Sequence, residues 1–521
     1  MRNLPRPRAF SPPDVSTDPD KPPRPGRGVL KKALLAGVLI TLLTAATVSS
    51  AVLLEVDELV DIVRSNSDVI PGVKNELDDV PAGDPQTILV IGSDKRFTDG
   101  KGVPARSDTM ILVRLNPDRG ATALLSIPRD LRADIPGYGR ERINAAYAVG
   151  GAKLALRTVR SLLDVPIHHI VEVDFGGFRR AVDRLDCVYT DIDRRYYHSN
   201  AGLPPRLQYS EINIKPGYQK LCGTRALEYV RFRHTDSDFV RAARQQDFLG
   251  QAKSQFGLSD LLGDRKKLVK IFSTYTRTDI DSNSAILRLL KLAFLSSKNP
   301  IQEVKFDGAQ DAEAGYIAIS PQRLAEMRDQ FLKARASKGP RVTERSAQKS
   351  SKPKKKKRKK SRSKQSQNLP PGVIEAKKEG ETVAVQAAKE IRLPVYYPAA
   401  RLSFGGYASG ERDYPAARSY KIRDRAKKRY DAYRLVLYAG EAGQYYGVQG
   451  TSWKSPPILD SPTETEKMRD RKYEMFYDGD RLRLIAWRTP RGAYWVSNSL
   501  SKKLTNKQMR AIARSLTRVG S

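Results

Sequence analysis

Four short segments of the chain place arginines close to aspartates, and three of them lie next to stretches with strand-like composition. These three contain the pairs Asp94 and Arg96, Arg106 and Asp108, and Arg129 and Asp130. Ligands of open α/β sheets gather at strand ends, so the three segments are expected to converge. Two carboxylates without histidine or thiolate suit Mg²⁺, and arginines match phosphate bidentately. The residue types therefore predict a phosphoryl-transfer site that works by positioning and charge neutralisation.

The fourth segment, "YVRFRHTDSDFVRAARQQ", is residues 229–246. Its spacing predicts a strand followed by a helix, each with one polar face: Arg231 and Arg233 are two apart, whereas Arg241, Arg244 and Gln245 follow i, i+3, i+4 spacing. Asp238 precedes the predicted helix and is placed to cap it. Capping and solvated arginines explain each residue singly. The repetition of Arg and Asp in four segments favours a shared site.

The elements that must position these residues follow a mixed pattern. From "TILVIGS" to about residue 335, short β-branched runs alternate with helical stretches, which predicts a layered αβα domain over 85–335. Residues 393–521 contain several strand-like runs and a closing helix, and predict a smaller α+β domain. The many tyrosines and tryptophans there would form either a carbohydrate-binding face or half-buried strand positions.

A long uncharged stretch near the start predicts a membrane anchor. "ALLAGVLITLLTAATVSSAVLL", from Ala33 to Leu54, would span roughly 33 Å as a helix, enough for a bilayer core. Basic residues precede it and acidic residues follow, so we expect a cytoplasmic tail at 1–28, a transmembrane helix at 29–54, and an extracytoplasmic chain that starts with a stalk at 55–84. A cleaved signal peptide is the alternative, although the apolar stretch exceeds the usual h-region.

The net charge of +35 indicates an anionic partner. Residues 336–392 contain "SSKPKKKKRKKSRSKQSQ" and are expected to be a basic, extended linker. Because this run lies outside the membrane in the expected topology, we expect no nucleic acid. The linker would contact anionic lipid or wall polymer, or act as a solvated spacer.

Both cysteines, Cys187 and Cys222, lie on the expected outer side. In an oxidising compartment, a disulfide closing a loop of about 36 residues would contribute roughly 3–4 kcal/mol. Two separate buried thiols are the alternative. So few cysteines and histidines make a structural zinc site unexpected.

Residues 85–255 resemble the LytR-CpsA-Psr family of cell-envelope glycopolymer ligases. The matching segments occur in the family's order: "IGSDKR", "RSDTM", "SIPRD", "RINAAYAVGG", "VDFGGFRRAVD", "GTRALEYVRFRH" and "RAARQQ". The resemblance implies a phosphotransferase that moves a phosphate-linked glycopolymer from an undecaprenyl-pyrophosphate carrier to a peptidoglycan hydroxyl. Two departures stand out: Arg142 replaces a frequent lysine, and "RLDCV" replaces a common Gly-Gly-Val.

The same resemblance implies a role for each site residue. Asp94 and Asp108 would bind Mg²⁺, and Arg129 and Asp238 would be catalytic, Arg129 through electrostatic stabilisation and Asp238 as a proton acceptor. The residues expected to contact or line the pyrophosphate site are Arg96, Arg106, Arg231, Arg233, Arg241, Arg244 and Gln245.

Two other functions remain open on the sequence. The same site would serve a lipid-pyrophosphate phosphatase that uses water as the acceptor. A non-catalytic envelope protein would instead use its charge and aromatic residues to hold wall polymer.

Overall fold

The computed structural model describes residues 68–81, 83–93, 107–204, 210–232, 236–255, 273–280, 282–296, 299–306, 309–311, 315–335, 369–409, 414–468 and 470–520, and residues 58, 61, 62, 65, 208, 266 and 270. Residues 59–521 belong to one compact unit. Among the described residues, no helix is both long and apolar enough to cross a bilayer. The predicted tail at 1–28 and membrane span at 29–54 lie outside the described residues.

The first half of this unit is built on a mixed β-sheet. Its strands are β1 (Asp68–Val69), β2 (Gln86–Ser93), β3 (Ser107–Asn116), β4 (Ala121–Ile127), β5 (Arg132–Ile135), β6 (Gly139–Arg142), β7 (His169–Asp174), β8 (Val188–Ile192), β9 (Tyr196–His198), β10 (Ile212–Ile214), β11 (Gly217–Leu221), β12 (Thr276–Thr278), β13 (Ile301–Val304), β14 (Ala309–Asp311) and β15 (Tyr316–Ala318). The central sheet has the order β1-β12-β7-β2-β3-β4-β13. Strand β2 is parallel to β7 and antiparallel to β3, and β3 is antiparallel to β4. The mixed α/β fold predicted from the sequence is confirmed.

Helices cover both faces of this sheet. They are α1 (Ile143–Leu163), α2 (Phe175–Arg184), α3 (Gly223–Arg231), α4 (Asp238–Gln255), α5 (Asn283–Ser296) and α6 (Pro321–Leu332). Successive strand side chains point to opposite faces. Leu125 of β4 therefore joins the core formed with α1 and α6, whereas its neighbour Ser126 accepts a hydrogen bond from Gln246 Nε2 of α4 at 3.0 Å.

Part of the predicted stalk belongs to this core, which corrects the boundary at residue 84. Ile70 and Val73 are only 5% and 1% exposed and pack into the main apolar cluster. Strand β1 pairs in parallel with β12, and a single 3₁₀ turn follows at Lys74–Glu76. Acidic residues around these few apolar positions give the segment the composition of an exposed stalk.

The second half is built on an antiparallel sheet of order β19-β20-β21-β25-β24-β23-β22. The elements of this half are β16 (Val373–Glu375), α7 (Lys377–Ala388), β17 (Tyr396–Pro398), β18 (Ala400–Leu402), β19 (Ala417–Arg423), β20 (Arg429–Tyr438), β21 (Tyr445–Thr451), the 3₁₀ turn Pro457–Leu459, β22 (Glu464–Met468), β23 (Arg471–Asp478), β24 (Arg481–Thr489), β25 (Gly492–Ser497), α8 (Asn506–Arg514) and β26 (Leu516–Arg518). Of the two interpretations of its aromatic residues, strand burial applies to Trp487, Tyr494 and Trp495, which are at most 2% exposed.

The second half begins earlier than the predicted boundary at residue 393. Strand β16 and helix α7 lie within the range expected to be a linker, and residues 336–368 are outside the described part. Ala384 and Ala387 of α7 are 0% and 2% exposed and belong to the core of the second half. The buried positions of this helix are small alanines among charged residues, which give only a weak apolar pattern. The sequence therefore predicts a polar linker here.

The two halves share an apolar core. Tyr189 of β8 and Tyr218 of β11 form one cluster with Phe476, Leu484 and Trp495 of the second half. This shared cluster holds the C-terminal domain against the strands that follow α2.

Candidate active site

The loop after β4 carries the first pair of charged residues. Every residue of β4 is buried, and the chain leaves the sheet at Pro128. The carbonyl of Arg129 accepts from the amide of Asn144 at 3.2 Å, and that of Asp130 accepts from the amide of Ile317 at 2.9 Å. Backbone bonds on both sides therefore fix the direction of the Arg129 and Asp130 side chains.

The start of α4 brings the opposing residues. Ser237 caps the helix, because its Oγ accepts from the amide of Val240 at 3.3 Å. Asp238 was predicted to precede the helix as its cap. In the structure it is instead the first residue of the helix. Its carboxylate lies near the positive end of the helix dipole and contacts Arg241 Nη2 at 2.9 Å.

These two segments meet in a cluster of alternating charge. Arg129 Nε lies 3.4 Å from Asp130 Oδ2 and 3.8 Å from Asp238 Oδ2. Arg142 Nε lies 3.8 Å from the other oxygen of Asp130. With Arg241, the described part of this cluster contains three guanidinium groups and two carboxylates near the end of β4. The structure thus brings Arg129, Asp238 and Arg241 together, as their residue types predict.

Asp130 and Arg142 belong to this cluster, although the sequence reasoning assigned neither a role. Burial raises the pKa of Asp130, Arg129 lowers it, and the neighbouring Asp238 carboxylate raises it again. The net direction is upward, chiefly because burial disfavours the charged carboxylate, and the like charge of Asp238 adds to this rise. Aspartates recur next to the predicted strands, and this repetition could have identified Asp130 as a site residue.

Arg231 approaches the same edge of the sheet from α3. Its guanidinium lies 3.8 Å from the ring centroid of Phe175, the first residue of α2. Phe175 follows Asp174, which pairs with Ser93 at the end of β2. Arg231 is the last residue of a helix, so the predicted strand for this segment is wrong, and the argument that Arg231 and Arg233 share a strand face does not apply.

Gln245 and Arg244 connect elements within the protein. Gln245 Nε2 donates to Thr109 Oγ1 and to the Val230 carbonyl, both at 3.1 Å. This joins α4 to β3 beside Asp108 and to the end of α3.

Arg244 is 0% exposed and forms an ion pair with Asp236. Its Nη1 donates to the carbonyls of Tyr229 and Phe232 at 3.0 and 3.1 Å. This differs from the prediction that Arg244 contacts or lines the pyrophosphate site, because its charge is neutralised inside the fold.

A disulfide bond lies at the N-terminal end of α3. Cys187 and Cys222 are bonded and lie 35 positions apart, and Cys222 is the residue that precedes α3. Asp183 Oδ1 accepts from the Gly223 amide at 2.8 Å. The disulfide therefore fixes the start of the helix that ends at Arg231.

Two carboxylates were expected to hold a magnesium ion, and the sheet register gives the position of the backbone of one of them. Ser93, the last residue of β2, pairs with Ser107, the first of β3. The backbone of Asp108 therefore lies where β2 ends and Asp94 follows in the sequence. The buried Ser107 hydroxyl has no hydrogen-bond partner among the described residues. This polar edge and two carboxylates fit a hard cation that keeps several waters.

The remaining expected ligands fall outside the description. Asp94, Arg96, Arg106 and Arg233 are not described, nor is the side chain of Asp108. Within the described part, one group of potential metal ligands is present: Asp183 with Cys187 and Cys222. Both sulfurs of that group are in the disulfide, so they do not offer thiolates to a metal.

Comparison with known proteins gives a consistent match. A profile of the LytR_cpsA_psr family matches residues 57–333. The polyisoprenyl-teichoic acid–peptidoglycan teichoic acid transferase TagT of Bacillus subtilis is 28% identical over 254 residues, 48% of this chain and 77% of TagT. The transferase of the same description, TagU, from Halalkalibacterium halodurans is 29% identical over 311 residues, 58% of this chain and 98% of TagU. A solved structure described as TagT bound to LI-WTA is 25% identical, covers 51% of this chain and 98% of its own, and has a TM-score of 0.40.

Proposed function

Because the chain belongs to the LytR_cpsA_psr family, we propose that it transfers a phosphate-linked glycopolymer from an undecaprenyl-pyrophosphate carrier to a hydroxyl of peptidoglycan. It is a transferase, as its relatives TagT and TagU are by name. Those relatives transfer teichoic acid to peptidoglycan. For this chain the polymer class is any glycopolymer joined to its carrier through a pyrophosphate.

One observation carries this proposal: the cluster of Arg129, Arg142 and Arg241 around Asp130 and Asp238. The three guanidiniums bring several N–H donors to one place beside these carboxylates. Guanidiniums are suited to phosphate oxygens because their donors are fixed in a plane. Arg231 adds a further cation from the end of α3.

The proposed reaction is a displacement at phosphorus. The acceptor hydroxyl oxygen attacks the phosphorus that bears the glycopolymer, and a new P–O bond forms. The bond from that phosphorus to the bridging oxygen breaks, and undecaprenyl phosphate leaves with the electron pair. The acceptor hydroxyl loses its proton to a base of the enzyme, so the step needs no other reactant.

Asp238 and Arg129 are placed to remove the hydroxyl proton and to stabilise the charge on the phosphoryl group, respectively. Asp238 Oδ2 lies in the buried centre of the charge cluster, and it would accept the proton of the acceptor hydroxyl. Arg129 lies against the same oxygen atom and stays charged throughout. It would therefore stabilise the negative charge that develops on the transferring phosphoryl group.

Asp94 and Asp108 would hold Mg²⁺ at the adjoining strand ends. When bound, the ion neutralises phosphate charge and favours departure of the leaving group. Asparagine at both positions keeps the shape of the side chains and removes their charge. We expect the double variant Asp94→Asn, Asp108→Asn to lose magnesium-dependent transfer while its melting temperature stays close to that of the wild type.

The proposed location is the outer side of the cell membrane, with one span at 29–54 and the tail at 1–28 in the cytoplasm. Support comes from the uncharged stretch Ala33 to Leu54 and the basic residues before it. A periplasmic-type reporter fused after residue 521 would be active in this topology. Activity of a cytoplasmic reporter at the same point would refute it.

The decisive experiment for the function is product analysis with the purified full chain. A carrier lipid bearing a labelled glycopolymer is incubated with peptidoglycan and Mg²⁺, and the label is followed into the insoluble wall fraction. Transfer of label together with release of undecaprenyl phosphate supports the ligase.

Two other results would each identify a rival. Release of phosphate products without label in peptidoglycan would identify the lipid-pyrophosphate phosphatase. Polymer binding without turnover, unchanged in the Asp94→Asn, Asp108→Asn variant, would identify a non-catalytic binding protein.

A further inference from the structure

The C-terminal domain reaches the candidate active site through one hairpin. The loop from Ala439 to Gln444 joins β20 to β21 and is closed by two backbone bonds, Ala439 amide to Gln444 carbonyl and Gln444 amide to Glu441 carbonyl, at 2.9 and 3.0 Å. Gly443 in this loop has a φ of +72°. A Cβ at Gly443 would lie 2.9 Å from Asp236 Oδ1 and 3.1 Å from Val240 Cγ2. The loop backbone is therefore packed directly against the start of α4.

Asp236 is the residue through which this contact would act. Its side chain is wholly buried and forms ion pairs with Arg244 and with Arg194 Nη2, the latter at 2.5 Å. Arg244 in turn donates to the backbone of Tyr229 and Phe232, on either side of Arg231. Asp236 thus connects the end of α3, which carries Arg231, with the start of α4 two residues later.

The C-terminal domain also contacts Arg194, the second ion-pair partner of Asp236. Tyr445, the first residue of β21, has its ring centroid 5.5 Å from the Arg194 guanidinium. The Ser409 carbonyl accepts from the Arg195 amide at 2.8 Å. Arg194 is 1% exposed. The C-terminal domain therefore contacts Arg194 as well as the start of α4.

We propose that the C-terminal domain is a positioning part of the active site: Gly443 and Asp236 set the relation between Arg231 on α3 and Asp238 with Arg241 on α4. Neither positioning residue contacts substrate in this scheme. The proposal rests on the proposed function for its catalytic consequence. Its structural consequence, a start of α4 held by the loop, is independent of that function.

The test compares two glycine variants of the full-length chain. Gly443→Ala places a methyl group against Asp236. Gly479→Ala is the matched control, because Gly479 lies in a hairpin of the same domain with a φ of +60° and a Cβ there would meet nothing within 4 Å. Both variants carry the strain of a positive φ, and only Gly443→Ala alters the contact.

Two measurements are made below the melting temperature of both variants. We expect Gly443→Ala to lower the rate of glycopolymer transfer at saturating carrier by about 10-fold to 100-fold, as expected for displaced catalytic groups. We also expect faster hydrogen exchange at the amides of residues 238–246. Gly479→Ala should change neither quantity by more than about twofold, because a methyl group there would meet nothing within 4 Å.

A second variant covers the case in which Gly443→Ala does not fold. Tyr445→Leu keeps the turn and removes the ring from Arg194, and we expect a smaller loss of transfer with the same local rise in exchange. Unchanged exchange at residues 238–246 in the folded Gly443 or Tyr445 variants would overturn the proposal, whatever the transfer rate. Absence of transfer by the wild type would contradict the proposed function alone, since the exchange measurement still decides the positioning role.

Discussion

Asp130 and Asp238 illustrate how residue type and position combine at this site. Both are aspartates beside Arg129, yet Asp130 follows a strand and Asp238 begins a helix. The sequence predicts charged residues at these ends, because strand ends and helix starts gather polar groups. It does not predict which oxygen of which carboxylate faces Arg129 or Arg142, since that depends on loop geometry.

Asp238→Asn tests the proton acceptor. Asparagine keeps the shape and the contact to Arg241 but cannot take the hydroxyl proton, so we expect kcat for transfer to fall by about 10²-fold to 10⁴-fold. The carrier affinity should change far less. Single-turnover transfer with labelled carrier separates the two quantities.

Asp134→Asn is the control for this change. Asp134 has a side chain 83% exposed and faces Arg140 at 3.7 Å, so the same substitution occurs there in an exposed ion pair. A fall in kcat of similar size in both variants would show that the effect is not specific to the active site.

At the scale of elements, the segment that forms α3 was predicted to end in a strand and is a helix in the structure. The run "EYVRF" contains aromatic and β-branched residues, which favour a strand. In the structure Ala226, Tyr229 and Val230 are buried at helical i, i+3, i+4 spacing. The helical spacing is present in the sequence, but nine residues are too few for it to outweigh the strand-like composition. The start of the helix after Cys222 also has to be known. Helix α4, in contrast, is longer and was predicted correctly from its period.

The disulfide at the start of α3 should contribute measurably to stability. Reduction opens a loop closed by residues 35 positions apart, for which the chain-entropy model gives about 3–4 kcal/mol. We expect the free energy of unfolding, measured with guanidinium chloride, to fall by that amount in reductant. Because Arg231 ends the same helix, transfer activity should fall with it.

A double variant, Cys187→Ala with Cys222→Ala, provides the comparison. Its stability in oxidising buffer should match that of the reduced wild type and should not respond to reductant. Equal stability of the oxidised wild type and the double variant would show that the disulfide contributes little.

At the scale of the whole molecule, the contact between the two halves depends on pairs that sequence periodicity does not reveal. Arg434 Nη1 contacts both oxygens of Asp191 at 3.0 and 3.2 Å, and Trp495 Nε1 donates to Asp191 at 3.0 Å. Asp191 and Arg434 lie 243 positions apart. Strand-like composition predicts β20 and β25, but not that they meet β8 across a shared core.

Asp191→Ala should therefore destabilise the unit strongly. It leaves Arg434, which is 0% exposed, without its carboxylate, and breaking a buried pair in this way costs about 3–5 kcal/mol. Urea unfolding would measure the loss. Adding Arg434→Met to Asp191→Ala removes the unpaired charge and should restore most of the stability. A double variant as unstable as Asp191→Ala would contradict this account.

A second charged contact predicts how stability depends on pH. Glu303 of β13 accepts from Lys502 Nζ at 2.6 Å, and Lys502 also pairs with Asp478. Burial raises the pKa of Glu303 from 4.5 to about 7, although Lys502 opposes the shift. A raised folded-state pKa means that the stabilisation is complete below pH 4.5 and is lost as pH rises through about 7.

Glu303→Gln is expected to remove this part of the pH dependence. The amide keeps an acceptor for Lys502 and does not ionise, so the variant should not lose stability between about pH 5 and pH 7 as the wild type does. The full shift corresponds to about 3 kcal/mol as an upper limit. Free energies of unfolding in urea at several pH values provide the measurement, and parallel curves for both proteins would refute the assignment to Glu303.

The apolar cluster between the halves has a consequence for any attempt to study them apart. A chain cut after residue 335 would expose Tyr189 and Tyr218, which are 0% exposed in the intact protein, and would leave Asp191 facing solvent. Such a fragment would tend to aggregate through this newly uncovered surface. The minimal working enzyme is therefore expected to include the C-terminal domain, even though the family match ends at residue 333.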